Sequence, residues 1–425
     1  MPPPDDRVIV VGGGIAGLVV AWRLARGGLK VTLLEATDHV GGQLAPQRVA
    51  GVDLDAGAES FATRGTAVTA LLDELGLATD IVSPQAGPAW LHRARGSAVP
   101  LPAAGLLGIP ADPLAPDVVR AIGRVGAWRA RLDAVLPRGI GTRATTVGDL
   151  VEARMGRQVL DGLVTPVTRG VYSREPDELL LAVAAPSLSG LVRERGSLAA
   201  AVRGLRANAP AGSLVAGLRG GMFRLVDALA DACRTSGVDI QTGVRVESVD
   251  KGGIVVDGSR RTGHVVLAAP RPGADAGRLV TLVTLVMREP LLDGAPRGSG
   301  VLVAPGSGVE ARALTHLTAK WGWIAEAFGG MHALRLSYDG VPTDPVSLAL
   351  RDASTIFAVA LPDPLVSAVR TWHRPALEPG EPGGARTGEP VAGSGLATVV
   401  AHAEALAARI LTDSRPAPAG ERMEP

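Results

Sequence analysis

Three glycines and one acid near the start of this chain have the spacing of a diphosphate site. Gly12, Gly14 and Gly17 lie in VIVVGGGIAG, and Glu35 closes VTLLE. In such a turn the first glycine permits a tight bend and the second lets a diphosphate approach the backbone. The third lets helix and strand pack closely. The ligand's charge then meets the free N–H groups and positive end of the helix. An acid about 20 residues on accepts hydrogen bonds from a ribose hydroxyl. Gly12, Gly13, Gly14, Ile15, Ala16, Gly17, Glu35 and Ala36 are therefore the first candidate cofactor contacts. To hold them, the apolar run 8–11 is predicted as a buried strand, 15–27 as a helix and 31–35 as the next parallel strand.

Composition bounds the rest. A chain of 425 residues predicts two or three domains, and 46% hydrophobic content is ample for their cores. The net charge of +1 gives no nucleic-acid footprint. The single cysteine, Cys233, excludes an intrachain disulfide and a cysteine-ligated cluster, and the histidines are scattered without metal-ligand spacing. No catalytic or metal-binding residue is nominated. No apolar run reaches the roughly 20 residues of a spanning helix, and no leader is visible. A cytoplasmic protein with at most peripheral membrane contact is expected.

The chain predicts an α/β fold: a discontinuous Rossmann-like dinucleotide-binding domain with a mixed-sheet substrate domain and a helical insertion. The nucleotide unit takes 1–85, 211–278 and 391–412, and the substrate unit takes 86–102 and 279–377. Within these, 67–77 reads as a helix, LHRARGSAVPLP as a hairpin, and VDIQT and VRVESV as short strands. HVVLAAP reads as a strand returning to the parallel sheet, and LVTLVTLVM, VLVAP and ALRLSY as members of the mixed sheet. The insertion, 103–210, is read as all-helical, forming a wall of the substrate pocket. In it Val118, Val119, Ile122, Val125, Trp128, Leu132 and Val135 recur at helical spacing, and Thr145 or Thr146 caps a helix through Met155. Residues 378–390 read as a Pro/Gly-rich linker and 413–425 as a disordered tail. Gly393 and Gly395 form a second glycine turn at the start of a final helix, beginning at Leu396.

GGGIAG…LLEA…GG…DAGAESF resembles the FAD entry of the amine-oxidase-like flavoproteins. The resemblance implies FAD contacts from Gly42, Gln43, Val244, Gly393, Gly395 and Leu396, and from Gly57, Ala58, Glu59 and Ser60 along the flavin ring and ribityl chain. Relatives carry Lys or Arg where this chain has Gln43. LVTPVTRGVYSREPDELLLAVAAPSL, LRGGMFRLVDALA, LTHLTAKW and VAGSGLATVVAHAEALAARI extend the likeness to bacterial porphyrinogen oxidases over most of 7–412. That likeness implies six-electron oxidation of coproporphyrinogen III, with hydride passing to flavin and dioxygen yielding hydrogen peroxide. Protoporphyrinogen IX is the alternative substrate. Arg64 is the candidate propionate contact, and transient contact with other haem-pathway enzymes is an implied partnership. An amine or polyene oxidase, and a non-catalytic flavin-binding protein, remain the other readings. The family's strand before the final glycine turn is replaced here by HRPALEPGEPGGARTGEP. Pro390 within it predicts a shortened or edge strand.

Overall fold

The computed structural model describes residues 7–63, 65–207, 215–250, 252–378 and 384–414. The opening strand Arg7–Val11 pairs in parallel with Lys30–Leu34 on one side and His264–Leu267 on the other. Asp239–Gln241 extends the sheet beyond Lys30–Leu34. Side chains alternate across a strand, so Val8 and Val10 join one core and Ile9 and Val11 another. The first core is shared by helices Ile15–Arg26, Phe223–Thr235 and Leu396–Asp413, through Leu18, Leu24, Leu229, Val400 and Leu406. Cys233 is buried there, with its thiol on the Leu18 carbonyl, and burial pushes that thiol up to about 12. The second core is capped by a small antiparallel sheet carrying Ile254 and Val256.

Two expectations near this sheet are corrected. The strand predicted from VRVESV reduces to Ser248–Asp250. The N–H groups of Gly243 and Val244 are taken instead by the carbonyls of Thr37 and Glu35, which removes them from any ladder. The predicted linker 378–390 is partly structured where it is described. Arg386 makes a single parallel bridge to Leu267, and Glu389–Ala392 is a short helix. After the bridge Gly388 (φ 90°) turns the chain into that helix, with Pro390 in its first turn, where no backbone donor is required.

The mixed sheet has seven strands in the order Val366–Arg374, Arg278–Met287, His332–Asp339, Ala313–His316, Gly300–Val303, Trp90–His92 and Ala98–Pro100. All neighbours are antiparallel except Gly300–Val303 beside Trp90–His92. Val283, Leu285, Leu334 and Leu336 pack one face onto helix Pro345–Phe357. The opposite face carries Leu282, Thr284, Arg335 and Ser337. It is turned toward the nucleotide sheet and the insertion: the Trp372 indole donates to the Ala56 carbonyl at 2.9 Å, and Gly170 lies against Leu302 and Ala313.

The insertion is not all-helical. It opens with a hairpin, Gly105–Leu106 paired with Ile109–Pro110. Leu107 and Gly108 both have positive φ (54° and 81°), as a two-residue turn of right-handed twist requires. Helix Pro116–Arg131 is then interrupted at Gly123 (φ 78°, ψ 165°). The interruption turns Gly126, Ala127 and Ala130 inward. Val125, Trp128, Leu132 and Val135, which share the helical spacing of the buried Val118, are 50–78% exposed. Thr146 caps the next helix, Val147–Met155, by accepting from Asp149 N–H. At the centre of the insertion the Arg154 guanidinium is fully buried on Asp133 and on the carbonyls of Ile140 and Gly196. No helix among the described residues is long and apolar enough to cross a membrane.

Candidate cofactor and substrate site

Each glycine of the opening turn meets a different constraint. A Cβ on Gly12 (φ 106°) would stand 2.8 Å from Ala269 Cβ, because the end of the returning strand presses on the turn. A Cβ on Gly17 would collide with the Gly12 carbonyl oxygen, so only glycine lets the helix sit this close. A Cβ on Gly14 would meet nothing within 4 Å. The middle glycine therefore faces open space, and no side chain caps the helix that starts after it. An uncapped helix N-terminus beside free space is the form of an anion cradle.

The remaining predicted contacts gather round it. The Glu35 carboxylate is fixed by Gly13 N–H at 2.8 Å and by the Thr37 N–H and hydroxyl. Ala36 beside it is exposed. The Glu35 carbonyl accepts from Val244 N–H at 2.9 Å. Gly41 N–H bonds the Gly13 carbonyl, so the second glycine pair lies against the first, with Gly42 (φ 59°) facing Gly14. Ile15 is half-buried and Ala16 buried in the first helical turn. Gly57 lies directly against the Gln43 carbonyl. The Gln43 amide donates to Glu389 at 2.8 Å, and Glu389 accepts from Ser394 Oγ at 3.1 Å. That chain of bonds joins the two glycine turns. Gly395 (φ 104°) looks into open space before Leu396, and again no side chain caps the helix. Gly393 touches Val183 of the insertion. Arg64 lies outside the described residues.

Glu59 and the groups around it were not fully legible. Ala58 is exposed and Ser60 half-buried in the predicted flavin-lining run, but the Glu59 carboxylate turns away to Lys320 Nζ at 2.6 Å and Arg335 at 3.5 Å. Burial alone would raise the Glu59 carboxyl. The two cations outweigh it and hold the group below the usual range. Asp55, four residues earlier, is buried and pushed up to about 6 by desolvation, while accepting from Phe223 N–H at 3.0 Å. The sequence had one faint sign of this cluster: Lys320 is a rare lysine in an arginine-rich chain. Glu389 and Arg374, 3.1 Å apart beside the second glycine turn, gave none.

Two helix N-termini without side-chain caps thus face open space, and the fixed Glu35 carboxylate lies beside the first of them. The chain belongs to the flavin-containing amine oxidoreductase family, whose profile matches residues 15–292, and it is an FAD-dependent oxidoreductase. It is similar to the coproporphyrinogen III oxidase of Mycobacterium tuberculosis, at 32% identity over 85% of each chain. It also resembles the enzyme of that name from Staphylococcus aureus, at 26% identity over 82% of this chain and 83% of the other. Among solved structures it shares its fold with an Exiguobacterium sp. 255-15 protein provisionally assigned as a protoporphyrinogen oxidase. There the TM-score is 0.79 and the identity 21%, covering 96% of this chain and 99% of that one.

Proposed function

We propose that this protein oxidises coproporphyrinogen III to coproporphyrin III, with dioxygen as final acceptor and hydrogen peroxide as by-product. The likeness to coproporphyrinogen III oxidases across 85% of both chains carries this reading. Bound FAD supplies two-electron, hydride-accepting chemistry, so a six-electron oxidation takes three rounds. The chain's own groups bind and orient. The parallel sheet and its glycine turn are read as a Rossmann-like unit whose N–H groups hold the diphosphate, with Glu35 on the ribose. The face of the mixed sheet that carries Thr284 and Arg335, with the insertion, would exclude water from one side of the flavin. Lys320 is held by Glu59 at the edge of that space. Dioxygen is favoured as acceptor because no second complete Gly-x-Gly-x-x-Gly follows Glu35 to receive a nicotinamide nucleotide.

The test mixes FAD-loaded protein, air and anaerobically prepared porphyrinogens, following porphyrin fluorescence and peroxide together. Coproporphyrinogen III is expected to react faster than protoporphyrinogen IX, with peroxide forming in step. Rates no higher than the uncatalysed control for both would leave an amine or polyene as the substrate class to screen.

A further inference from the structure

Five arginines meet where the insertion crosses one end of the mixed sheet. Arg169 and Arg174 come from the insertion, Arg278 and Arg374 from neighbouring strands, and Arg312 from the residue before Ala313–His316. The row begins at the cofactor turn, because Arg374 holds Glu389, which also accepts from Ser394. Arg174 adjoins it through the Pro375 carbonyl at 3.0 Å.

Nothing in the fold alone explains this crowding. Arg278 and Arg374 are direct cross-strand partners, and like charges placed opposite each other are destabilising. Carboxylates are present but shared. Glu175 lies 3.2 Å from Arg169 and 3.6 Å from Arg312, while Asp339 serves Arg312 and stands 3.7 Å from Arg169. Glu178 serves Arg278 at 2.7 Å. Donors are left over. Arg278 Nη1, and Arg312 Nε and Nη1, are buried without a hydrogen-bond partner, and Arg169 Nε has only its ion pair with Glu175. Arg312 is only 3% exposed. Buried guanidinium N–H groups without acceptors carry a full desolvation penalty, and burial accordingly pushes the Arg312 guanidinium below its ordinary range. An arriving carboxylate would relieve that penalty through the planar fork of donors that arginine presents. A groove of about 430 Å³ reaches the row at Arg169 and Asp339, and Ala311 beside Arg312 lines it too.

We propose that Arg169, Arg278 and Arg312 form the carboxylate-binding subsite of the substrate pocket. It receives propionate groups of a polycarboxylate tetrapyrrole and favours four carboxylates over two. The inference rests on the porphyrinogen reading above but concerns recognition rather than oxidation.

The test is equilibrium binding to the FAD-loaded protein of coproporphyrin III, with four carboxylates, and protoporphyrin IX, with two. Absorbance and tryptophan quenching report binding for wild type, Arg169→Gln, Arg278→Gln and Arg278→Lys. Each glutamine variant is expected to weaken coproporphyrin III at least about tenfold and protoporphyrin IX less. Arg278→Lys should recover part of the loss, with FAD content and melting temperature near wild type. Unchanged coproporphyrin III binding in folded, FAD-loaded glutamine variants overturns the proposal. So does equal loss for both porphyrins, or a wild type that binds neither. A wild type that binds coproporphyrin III through these arginines yet oxidises no porphyrinogen keeps the subsite and overturns the function. Oxidation with the same preference between substrates in wild type and variants does the reverse.

Discussion

The proposed cofactor cradle and the proposed arginine subsite would meet negative charge by opposite means. In the cradle the work is done by backbone: open space at Gly14, two uncapped helix starts, and one carboxylate fixed by Gly13 and Thr37. No cation is needed, since helix N–H groups and the helix dipole serve. In the seam, the row from Arg169 to Arg374 depends wholly on long side chains, and buried donors remain without acceptors. A backbone site is rigid and costs little to keep empty. Buried guanidinium donors without acceptors are costly while the site is empty, which is why the proposed subsite would discriminate by how many carboxylates arrive. The contrast suits a permanent cofactor on one side and an exchanging substrate on the other.

The sharpest way to break the cradle is Gly17→Val. Its Cβ has no room against the Gly12 carbonyl, and the helix and strand cannot separate without opening the core at Leu18 and Val20. A loss of more than about 3 kcal/mol is expected, by overpacking at its severe end. Denaturant titration would show it, with FAD absorbance lost as well. Wild-type stability in that variant would mean the turn is not built as described.

Asp55 probes the ground between the two regions, next to Glu59 and Arg335. Its folded pKa of about 6 lies above the ordinary carboxylate value, so folding favours the protonated form. Its stabilising contribution is complete below about pH 4 and is lost as the pH rises through 6. Asp55→Asn keeps an acceptor for Phe223 N–H without the buried charge. It should be more stable than wild type by about 2 kcal/mol at pH 8 and equal to it near pH 4. Equal stability at both pH values would show that Asp55 is not desolvated.

A smaller effect is expected from Glu35→Ala, which on the proposed reading removes one ribose contact and leaves the backbone of the glycine turn in place. FAD affinity should fall roughly tenfold, about 1.4 kcal/mol, with the melting temperature of the FAD-free protein little changed. Complete loss of FAD would mean that the cradle relies on this side chain rather than on its backbone.

What the sequence disclosed follows the same division. Gly12, Gly14, Gly17 and Glu35 lie within one strand–helix–strand unit, so their spacing already encodes their geometry. The arginine seam joins residues from 169 to 374 that meet only after the sheet has formed, and no local pattern announces them. Helical periodicity located the helix but not the face it buries at Val125, Trp128 and Leu132. A single positive φ at Gly123 re-aims the second half of that helix, and spacing alone carries no trace of the turn. Pro390 was read as a strand residue lacking a donor, and the structure places it in the first turn of helix Glu389–Ala392, where that donor is not needed.

The central claim is that this flavoprotein takes electrons from a porphyrinogen. Anaerobic titration of the FAD-loaded protein with coproporphyrinogen III, reading flavin bleaching and porphyrin absorbance in one cuvette, tests it most directly. Three flavins should be reduced for each coproporphyrin III formed, the ratio a six-electron oxidation requires, and admitting air should restore the oxidised flavin spectrum. Flavin that stays oxidised under a several-fold excess of coproporphyrinogen III, in protein carrying full FAD, would contradict the account.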